Sequence, residues 1–342
     1  MAGMNILGPL RILREIRLGE IKAGAERRFA LLIIGDAAAG AALAACLGPT
    51  ANRTARHPWV TVLQATDFGG FEQWMQPDPH ADKLALVVIT APDPRDNEVR
   101  ALARLHEAGV PPAVVVMRDG ADALPGAGLE RPGEAARVLL PSSPDAKALQ
   151  ARLAPALIKI TPPGSGLRLA LARQFPVLRD PLVADEIEDV ARANAVYAAS
   201  TGIAEIAPVL TIPFAATDVL VLTKNQLVMS YKIALMAGKS GSVRDVMGEV
   251  IGVVGGGLLL RQIARELVGL IPVIGIVPKV AIAYAGTRVI GALVQAWAVH
   301  GRRVRRGEMR ALYTDAVAGG RAVAHELLAR VRPRIPHTTP EI

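Results

Sequence analysis

The stretch from Phe29 to Ala42 reads FALLIIGDAAAGAA, and it decides the predicted fold. Its first half, Phe29–Gly35, is a continuous apolar run that ends in glycine, which is typical of a strand buried on both faces of a sheet. Gly35 and Gly40 have the spacing of a glycine-containing loop that leads from such a strand into a helix. The stretch therefore predicts a strand, a glycine-containing loop and a helix, which is the repeating unit of a parallel sheet.

Four more apolar runs follow, and stretches with helical periodicity separate them. Strands that alternate with helices predict right-handed crossovers and a mostly parallel sheet. The predicted strands are Phe29–Gly35, Trp59–Ala65, Leu84–Thr90, Ala113–Met117 and Arg137–Leu140, with helices at Asn97–Ala108 and Asp145–Leu157. Thr161–Gly166 (TPPGSG) has the composition of a linker.

Beyond this linker the sequence predicts helices almost throughout. The predicted helical stretches are 183–198, Ile203–Leu222, Gln226–Ala237, Val243–Leu270, Lys279–His300 and Ala311–Val331. The predicted organisation is an α/β domain followed by an all-α domain. Its segments are an N-terminal helical arm (1–28), the α/β domain (29–160), a hydrophobic helical domain (167–333) and a disordered tail (334–342).

The composition excludes several classes of function. Apolar residues make up 51% of the 342-residue chain and aromatic residues only 4%. The net charge of +8 has almost no aromatic side chains beside it, so nucleic acid is not expected as a partner. Cys46 is the single cysteine, which excludes a disulfide framework and a cysteine-based metal site, and indicates a reducing, cytosolic setting.

The loop after the first predicted strand has the glycine spacing of a phosphate-binding loop, G-x-x-x-x-G-K-[ST], with Gly35 and Gly40 in the two glycine positions. In a working loop the lysine neutralises the phosphate oxygens and the hydroxyl binds Mg²⁺. Here Ala41 replaces the lysine and Ala42 replaces the hydroxyl residue. We therefore expect nucleotide hydrolysis to be lost and the chain not to be an enzyme.

Three later segments match GTPase motifs in order along the chain. Asp67–Gly70 (DFGG) matches the motif D-x-x-G. Met117–Asp122 (MRDGAD) lies where the guanine-reading motif Asn-Lys-x-Asp belongs. Pro141–Ser143 lies where a Ser-Ala loop belongs. By this order, residues 29–157 resemble the translation-factor-like GTPase superfamily in a degenerate form. The resemblance implies a vestigial nucleotide pocket at Gly35, Gly40, Asp67, Gly70, Asp119 and Asp122. The alternative is another Rossmann-like domain in which Asp67 is an ordinary helix cap.

The helical region contains two distinctive segments, Ile212–Gly238 and Ile271–Gly291. They resemble the bacterial YcjF-like family, the domain of unknown function numbered 697, which often follows a GTPase domain. The resemblance implies a membrane-associated helical module without an established activity. It also marks Asp218, Gln226 and Lys232 as recurring polar positions, and implies no role for them.

Three glycines recur at four-residue spacing within Val243–Leu270, namely Gly248, Gly252 and Gly256. A strip of this kind lets a second helix approach closely, as in many membrane helix pairs. We expect it to pack against another helix or another copy of the chain.

Lys279 and Arg288 are the only charged residues of the stretch Leu267–Val299, and Pro272 and Pro278 bracket a predicted turn. These features predict a hairpin or surface embedding rather than a single span. A basic cluster of Arg302, Arg303, Arg305 and Arg306 follows, and it suits anionic lipid headgroups on the cytoplasmic side. The alternative is a soluble bundle whose apolar helices bury one another.

No catalytic or metal-binding constellation is evident, because the six histidines are scattered without ligand spacing. The sequence thus predicts a membrane-associated pseudo-GTPase with a regulatory, scaffolding or assembly role on the inner face of the cell membrane. The expected partners are membrane lipid or a membrane protein, together with a second copy or a related GTPase domain. No cofactor is expected, although GTP or GDP is the nucleotide that would fit a remnant pocket. The alternatives are a GTP-binding protein with a non-standard phosphate loop and a soluble homo-oligomeric interaction protein.

Overall fold

The computed structural model describes residues 17–48, 57–78, 81–120, 136–162, 165–204, 216–254 and 276–331. The chain divides into two compact units. The α/β unit comprises Leu18–Ala184 and Leu235–Ser240, and the helical unit includes Asp185–Ala234 and the described residues from Gly241 onward. The helix that follows the predicted linker therefore belongs to the same unit as the sheet.

The α/β unit is built on a five-stranded sheet in which every pairing is parallel. Its strands are β1 (Arg28–Gly35), β2 (Val60–Gln64), β3 (Ala81–Ile89), β4 (Pro112–Met117) and β5 (Ala136–Leu140). Their order across the sheet is β2-β1-β3-β4-β5. This is one of the common doubly wound orders, and its direction reverses between β1 and β3. The predicted α/β layout followed by helices is confirmed at this level.

The helices of the α/β unit precede the first strand, connect successive strands or follow the last one. They are α1 (Leu18–Glu26), α2 (Ala37–Leu47), α3 (Phe68–Met75), α4 (Asp96–Glu107), α5 (146–160) and α6 (Gly166–Gln174). Leu149–Leu153 gives α5 a π-helical segment, and Pro176–Leu178 forms a 3-10 turn after α6. Leu32, Ile34 and Val87 are buried in one core cluster with Phe71 of α3 and Leu105 of α4.

At the beginning of the strands, an aromatic cluster (Phe29, His57, Trp59 and Phe175) joins β1, the start of β2 and the turn after α6. The His57 ring lies 5.2 Å from the Phe175 ring and 5.5 Å from the Trp59 ring, between ring centroids. Nε2 of His57 lies 3.2 Å from the Gln174 side-chain oxygen, and Nδ1 accepts the Trp59 main-chain N–H at 3.2 Å.

The helical unit consists of long helices packed side by side. They are α7 (Arg179–Ala204), α8 (Ala216–Met236), α9 (Val243–Val254), α10 (Ile276–Ala298) and α11 (Arg306–Val331). Ala191 and Ala195 of α7 are buried in one cluster with Tyr284 of α10 and Val323 of α11. Among the helices that the structure describes, α10 has the length and apolar composition to cross a membrane, and 67% of its most apolar window is buried inside the protein.

The structure corrects the prediction of a break between Ile203–Leu222 and Gln226–Ala237, because α8 continues through Thr223–Asn225 without interruption. These polar residues lie inside the helix, and the Asn225 amide donates to the Asn194 side chain of α7. The predicted turn at Pro272 lies outside the described residues, and Pro278 lies within α10.

Candidate functional site

The turn from β1 to α2 is shaped by Gly35, whose φ is +144°. A Cβ atom at this position would lie 2.0 Å from the Val88 carbonyl oxygen of β3. Only glycine combines this backbone conformation with so close an approach. Gly35 therefore fixes where the chain leaves the sheet, at the carboxyl end of the two central strands.

Asp36 is the single residue between β1 and α2, and its side chain caps the helix. Its Oδ1 atom accepts hydrogen bonds from Ala38 N–H at 3.1 Å and Ala39 N–H at 3.0 Å. Free N–H groups at a helix N-terminus are what commonly binds phosphate in such folds. Here a carboxylate of the chain itself already occupies two of them.

Gly40 lies inside α2 rather than at the end of a loop, since Ala37–Leu47 is helical. A Cβ atom on Gly40 would lie 3.2 Å from the Val62 side chain and 3.3 Å from the Ile33 side chain. Its position thus lets α2 pack closely on β1 and β2. Ala41 and Ala42 continue the same helix and offer neither a cation nor a hydroxyl group.

The D-x-x-G segment after β2 forms a second helix cap. Oδ1 of Asp67 accepts the Gly70 N–H at 2.9 Å, and α3 begins at Phe68. A Cβ atom on Gly70 would lie 2.6 Å from Asp67 Oδ2, so a larger residue here would displace the Asp67 carboxylate. Asp67 is thus a helix cap, as in the alternative interpretation of the sequence.

Asp119 lies directly after β4, and the structure brings it next to the loop that follows β5. Its Oδ1 accepts the Ser142 main-chain N–H at 3.0 Å, and this hydrogen bond lowers the pKa of the Asp119 carboxyl group. Two of the sequence motifs therefore meet, because parallel neighbouring strands end at the same edge of the sheet. Asp122 lies outside the described residues.

Glu98 adds a buried carboxyl group near the point where the strand order reverses. It is 1% exposed, and its Oε2 accepts the Arg95 N–H at 2.8 Å. Burial raises the pKa of Glu98, and the negative charge of Asp36 raises it further. Two acidic side chains at this end of the sheet make it unfavourable for a phosphate group.

A cleft of about 460 Å³ opens beside the end of β2. It is lined by Ala37, Val62, Leu63, Gln64 and Asp67. Phe68, which follows this lining in sequence, is 48% exposed. Of the described residues, no three His, Cys, Asp or Glu side chains are grouped closely enough to hold a metal ion.

In the helical unit, Lys232 and Gln226 of α8 are both held by polar partners. Nζ of Lys232 lies 2.7 Å from Glu186 Oε1, and the two side chains are 20% and 14% exposed. Burial raises the pKa of Glu186, and the charge of Lys232 opposes that shift. Gln226 donates to Thr287 Oγ1 at 3.2 Å. Asp218 belongs to α8, and its side chain is not among those described.

A buried polar network at the centre of the helical unit escaped the sequence analysis. The Asn194 amide donates to Thr287 Oγ1 at 2.9 Å and accepts from the Asn225 amide at 2.7 Å. Thr287 Oγ1 in turn donates to the Ala283 carbonyl at 2.8 Å. Buried amide and hydroxyl groups demand partners, so this network fixes the register of three helices. Asn194, which lies on the apolar face of the predicted helix 183–198, was the available signal.

The glycine strip lies on an exposed face of α9. A Cβ atom on Gly248 or Gly252 would have no heavy atom within 4 Å among the described residues, and Gly256 lies outside them. Close helix contacts are made instead by other glycines. A Cβ on Gly291 would lie 2.6 Å from the Ile187 side chain, and one on Gly320 would lie 2.6 Å from the Ala281 carbonyl oxygen.

The basic cluster lies between α10 and α11. Arg302 pairs with Glu308 at 2.8 Å, and this hydrogen bond lowers the pKa of Glu308. Arg303 and Arg305 are exposed. Arg306 begins α11, and its side chain is not described.

Comparison of the chain with protein-family models, with curated proteins and with solved structures finds no match.

Proposed function

We propose that this chain is a non-hydrolysing relative of the P-loop GTPases that acts as a scaffold or regulator on the cytoplasmic face of a membrane. The observation that carries the proposal is the Asp36 carboxylate, which caps α2 at the position where a GTPase would hold phosphate. A negative side chain at this point opposes a bound phosphate, both by repulsion and by occupying the N–H donors.

The order of the other motif positions supports the GTPase relationship. Gly35 ends β1, Asp67 and Asp119 follow β2 and β4, and all three lie at the carboxyl end of the sheet. Ligands of doubly wound folds bind at this end. With Ala41 and Ala42 in the phosphate-contacting positions, catalysis would have neither the cation nor the Mg²⁺ ligand that it requires.

The helical unit supplies the membrane-associated part of the proposal. The exposed Arg303 and Arg305 side chains directly follow the apolar helix α10, and this arrangement favours anionic headgroups. Since most of the apolar window of α10 is buried by the rest of the chain, attachment at the surface suits the unit better than a span.

A soluble interaction protein is the second candidate, and the burial of α10 favours it. An apolar helix enclosed by its neighbours is the ordinary core helix of a soluble bundle. In this case the basic cluster would be a solvated surface, and the partner would be a protein.

Titration with a fluorescent GTP analogue, with and without Mg²⁺, tests the first proposal. We expect no saturable binding by the wild-type chain. The double variant Ala41→Lys/Ala42→Ser should also fail to bind or hydrolyse GTP, because its new side chains would project from a helix rather than from a loop. Asp36→Asn keeps the helix cap and removes its charge, and it serves as the matched variant. Mg²⁺-dependent binding by the wild type would contradict the proposal.

A further inference from the structure

Strand β2 forms one edge of the sheet, and only half of its main-chain groups face β1. Leu31 N–H donates to the Trp59 carbonyl at 2.8 Å, and Ala65 N–H donates to the Gly35 carbonyl at 3.1 Å. In a parallel pair, alternate residues of a strand direct their N–H and C=O groups to the neighbour. Val60, Val62 and Gln64 therefore direct theirs away from the sheet.

Two of these outward groups are already bonded within the chain. Val60 N–H donates to the His57 carbonyl at 3.0 Å, and the Gln64 carbonyl accepts Asp67 N–H at 2.9 Å. From the part of the chain that the structure describes, no hydrogen bond reaches the other four, which are Val60 C=O, Val62 N–H, Val62 C=O and Gln64 N–H. They are arranged symmetrically about Val62.

We propose that β2 pairs in antiparallel fashion with β2 of a second copy of this chain, about a two-fold axis at Val62. The two Val62 residues would exchange both of their hydrogen bonds, as directly opposed residues of antiparallel strands do. Each Gln64 N–H would donate to the Val60 carbonyl of the other copy. The two groups already bonded within each chain would face each other and need no new partner, so four hydrogen bonds use every free group.

The side chains of β2 are compatible with this pairing. Its sequence, VTVLQ, contains no charge, so no like charges meet across the axis. It also lacks the lysine or proline that commonly protects an exposed edge from pairing. The opposite edge differs, because the outward carbonyl of Leu139 in β5 already accepts a hydrogen bond from Arg152 at 2.9 Å.

This pairing goes beyond the proposed function, since it needs neither nucleotide nor lipid. Failure of GTP binding or of membrane attachment therefore leaves it standing, and its own failure leaves those proposals untouched.

Sedimentation equilibrium of the full chain over a concentration series tests the pairing. We expect a monomer–dimer equilibrium for the wild type. Val62→Pro removes an N–H that no described residue uses, so the sheet should form while the dimer loses two hydrogen bonds. Its dissociation constant should rise by at least about 30-fold, the effect of about 1 kcal/mol for each bond. Leu139→Pro, at an outward position of the other edge, is the control and should dimerise normally.

Cross-linking tests the register and does not depend on a proline variant. Thr61 of one copy would lie opposite Leu63 of the other. A mixture of the Thr61→Cys chain and the Leu63→Cys chain, both also carrying Cys46→Ser, should form a disulfide-linked dimer under mild oxidation. A Val196→Cys chain, whose cysteine lies at an exposed position on α7, should not. A wild-type chain that stays monomeric at all concentrations, or a dimer that keeps its affinity in Val62→Pro and forms no 61–63 disulfide, would overturn the proposal.

Discussion

At the scale of single residues, the Asp36 carboxylate explains the expected loss of phosphate binding better than Ala41 and Ala42 do, because it occupies the N–H groups that would bind the phosphate. An aspartate directly before an alanine-rich helix is a standard N-cap signature, and it could have been predicted from the sequence. The glycine spacing instead favoured a loop through residue 40. The spacing of Gly35 and Gly40 says little about the conformation of the backbone between them. The hydrogen bonds from Ala38 and Ala39 to Asp36 determine that conformation, because they start the helix at Ala37.

His57 provides a pH-dependent prediction at this scale. Burial in the aromatic cluster lowers the pKa of its imidazole below the ordinary value of 6.5, and the Gln174 hydrogen bond only partly opposes this. The unfolded chain then binds the proton more readily than the folded chain. Stability is therefore fully present above pH 6.5 and is lost as the pH falls through the lower folded-state value.

We expect the urea midpoint of the wild type to fall between about pH 7 and about pH 5.5, and to fall less in His57→Phe. NMR titration of the His57 ring should give a pKa below 6.5. His106→Phe, at an exposed position on α4, is the control for replacing a histidine as such. Equal pH dependence in wild type and His57→Phe would contradict the prediction.

Lys232 and Glu186 give a second prediction about individual side chains. Lys232→Met would leave the mostly buried Glu186 carboxylate without its cation, and should destabilise the protein by roughly 2–4 kcal/mol. Adding Glu186→Gln should recover much of this loss, since no unpaired charge then remains. Chemical denaturation of the two variants measures the difference. Similar stabilities for the single and double variants would show that the pair is not coupled.

At the scale of elements, the strands could be predicted closely and the helices less so. The continuous apolar runs place the strands to within about three residues, because strands buried on both faces have no polar positions. In the helical unit the predicted break at Thr223–Asn225 was wrong, because α8 continues through these polar residues and the Asn225 side chain bonds to Asn194 of α7. The sequence cannot distinguish these cases, because a polar residue facing inward and one in a turn look alike.

The glycines of α11 give a prediction about helix packing. Gly320→Ala would place a methyl group 2.6 Å from the Ala281 carbonyl oxygen, a main-chain atom that cannot move aside. We expect a loss of about 2 kcal/mol or more. The adjacent Gly319→Ala meets only the edge of the Tyr284 ring, at 3.3 Å, and should stay within about 1 kcal/mol of wild type. Urea denaturation followed by circular dichroism compares the two, and equal losses would contradict the predicted contact.

At the scale of the whole molecule, the sequence predicts the class of both parts, but not what they bind. Element order and hydrophobicity establish an α/β unit and a helical unit. Whether a helix terminus, a buried amide or a sheet edge finds a hydrogen-bond partner within the chain depends on residues that are far apart in sequence. The bond between Asp119 and Ser142 is an example. These contacts decide which groups are left for a partner.

Membrane attachment gives a prediction at this scale. Arg303→Glu/Arg305→Glu should reduce flotation of the full chain with vesicles containing anionic lipid, by roughly tenfold or more in binding, because each basic residue near the surface contributes about 1 kcal/mol. Arg310→Glu/Arg321→Glu, which changes exposed positions of α11 by the same charge, is the control. Loss of binding in both variants to the same extent would indicate only a general charge effect, and no wild-type flotation would favour the soluble alternative.

The Arg152 side chain on the β5 edge has a consequence for how large an assembly can become. A filament grows only if each subunit offers two free sides, one for the preceding subunit and one for the next. The guanidinium already engages an outward carbonyl on the β5 side, so main-chain addition is favoured on the β2 side alone. If β2 pairs as we propose, the sheet ends once two chains have joined, and open-ended fibre growth is not favoured.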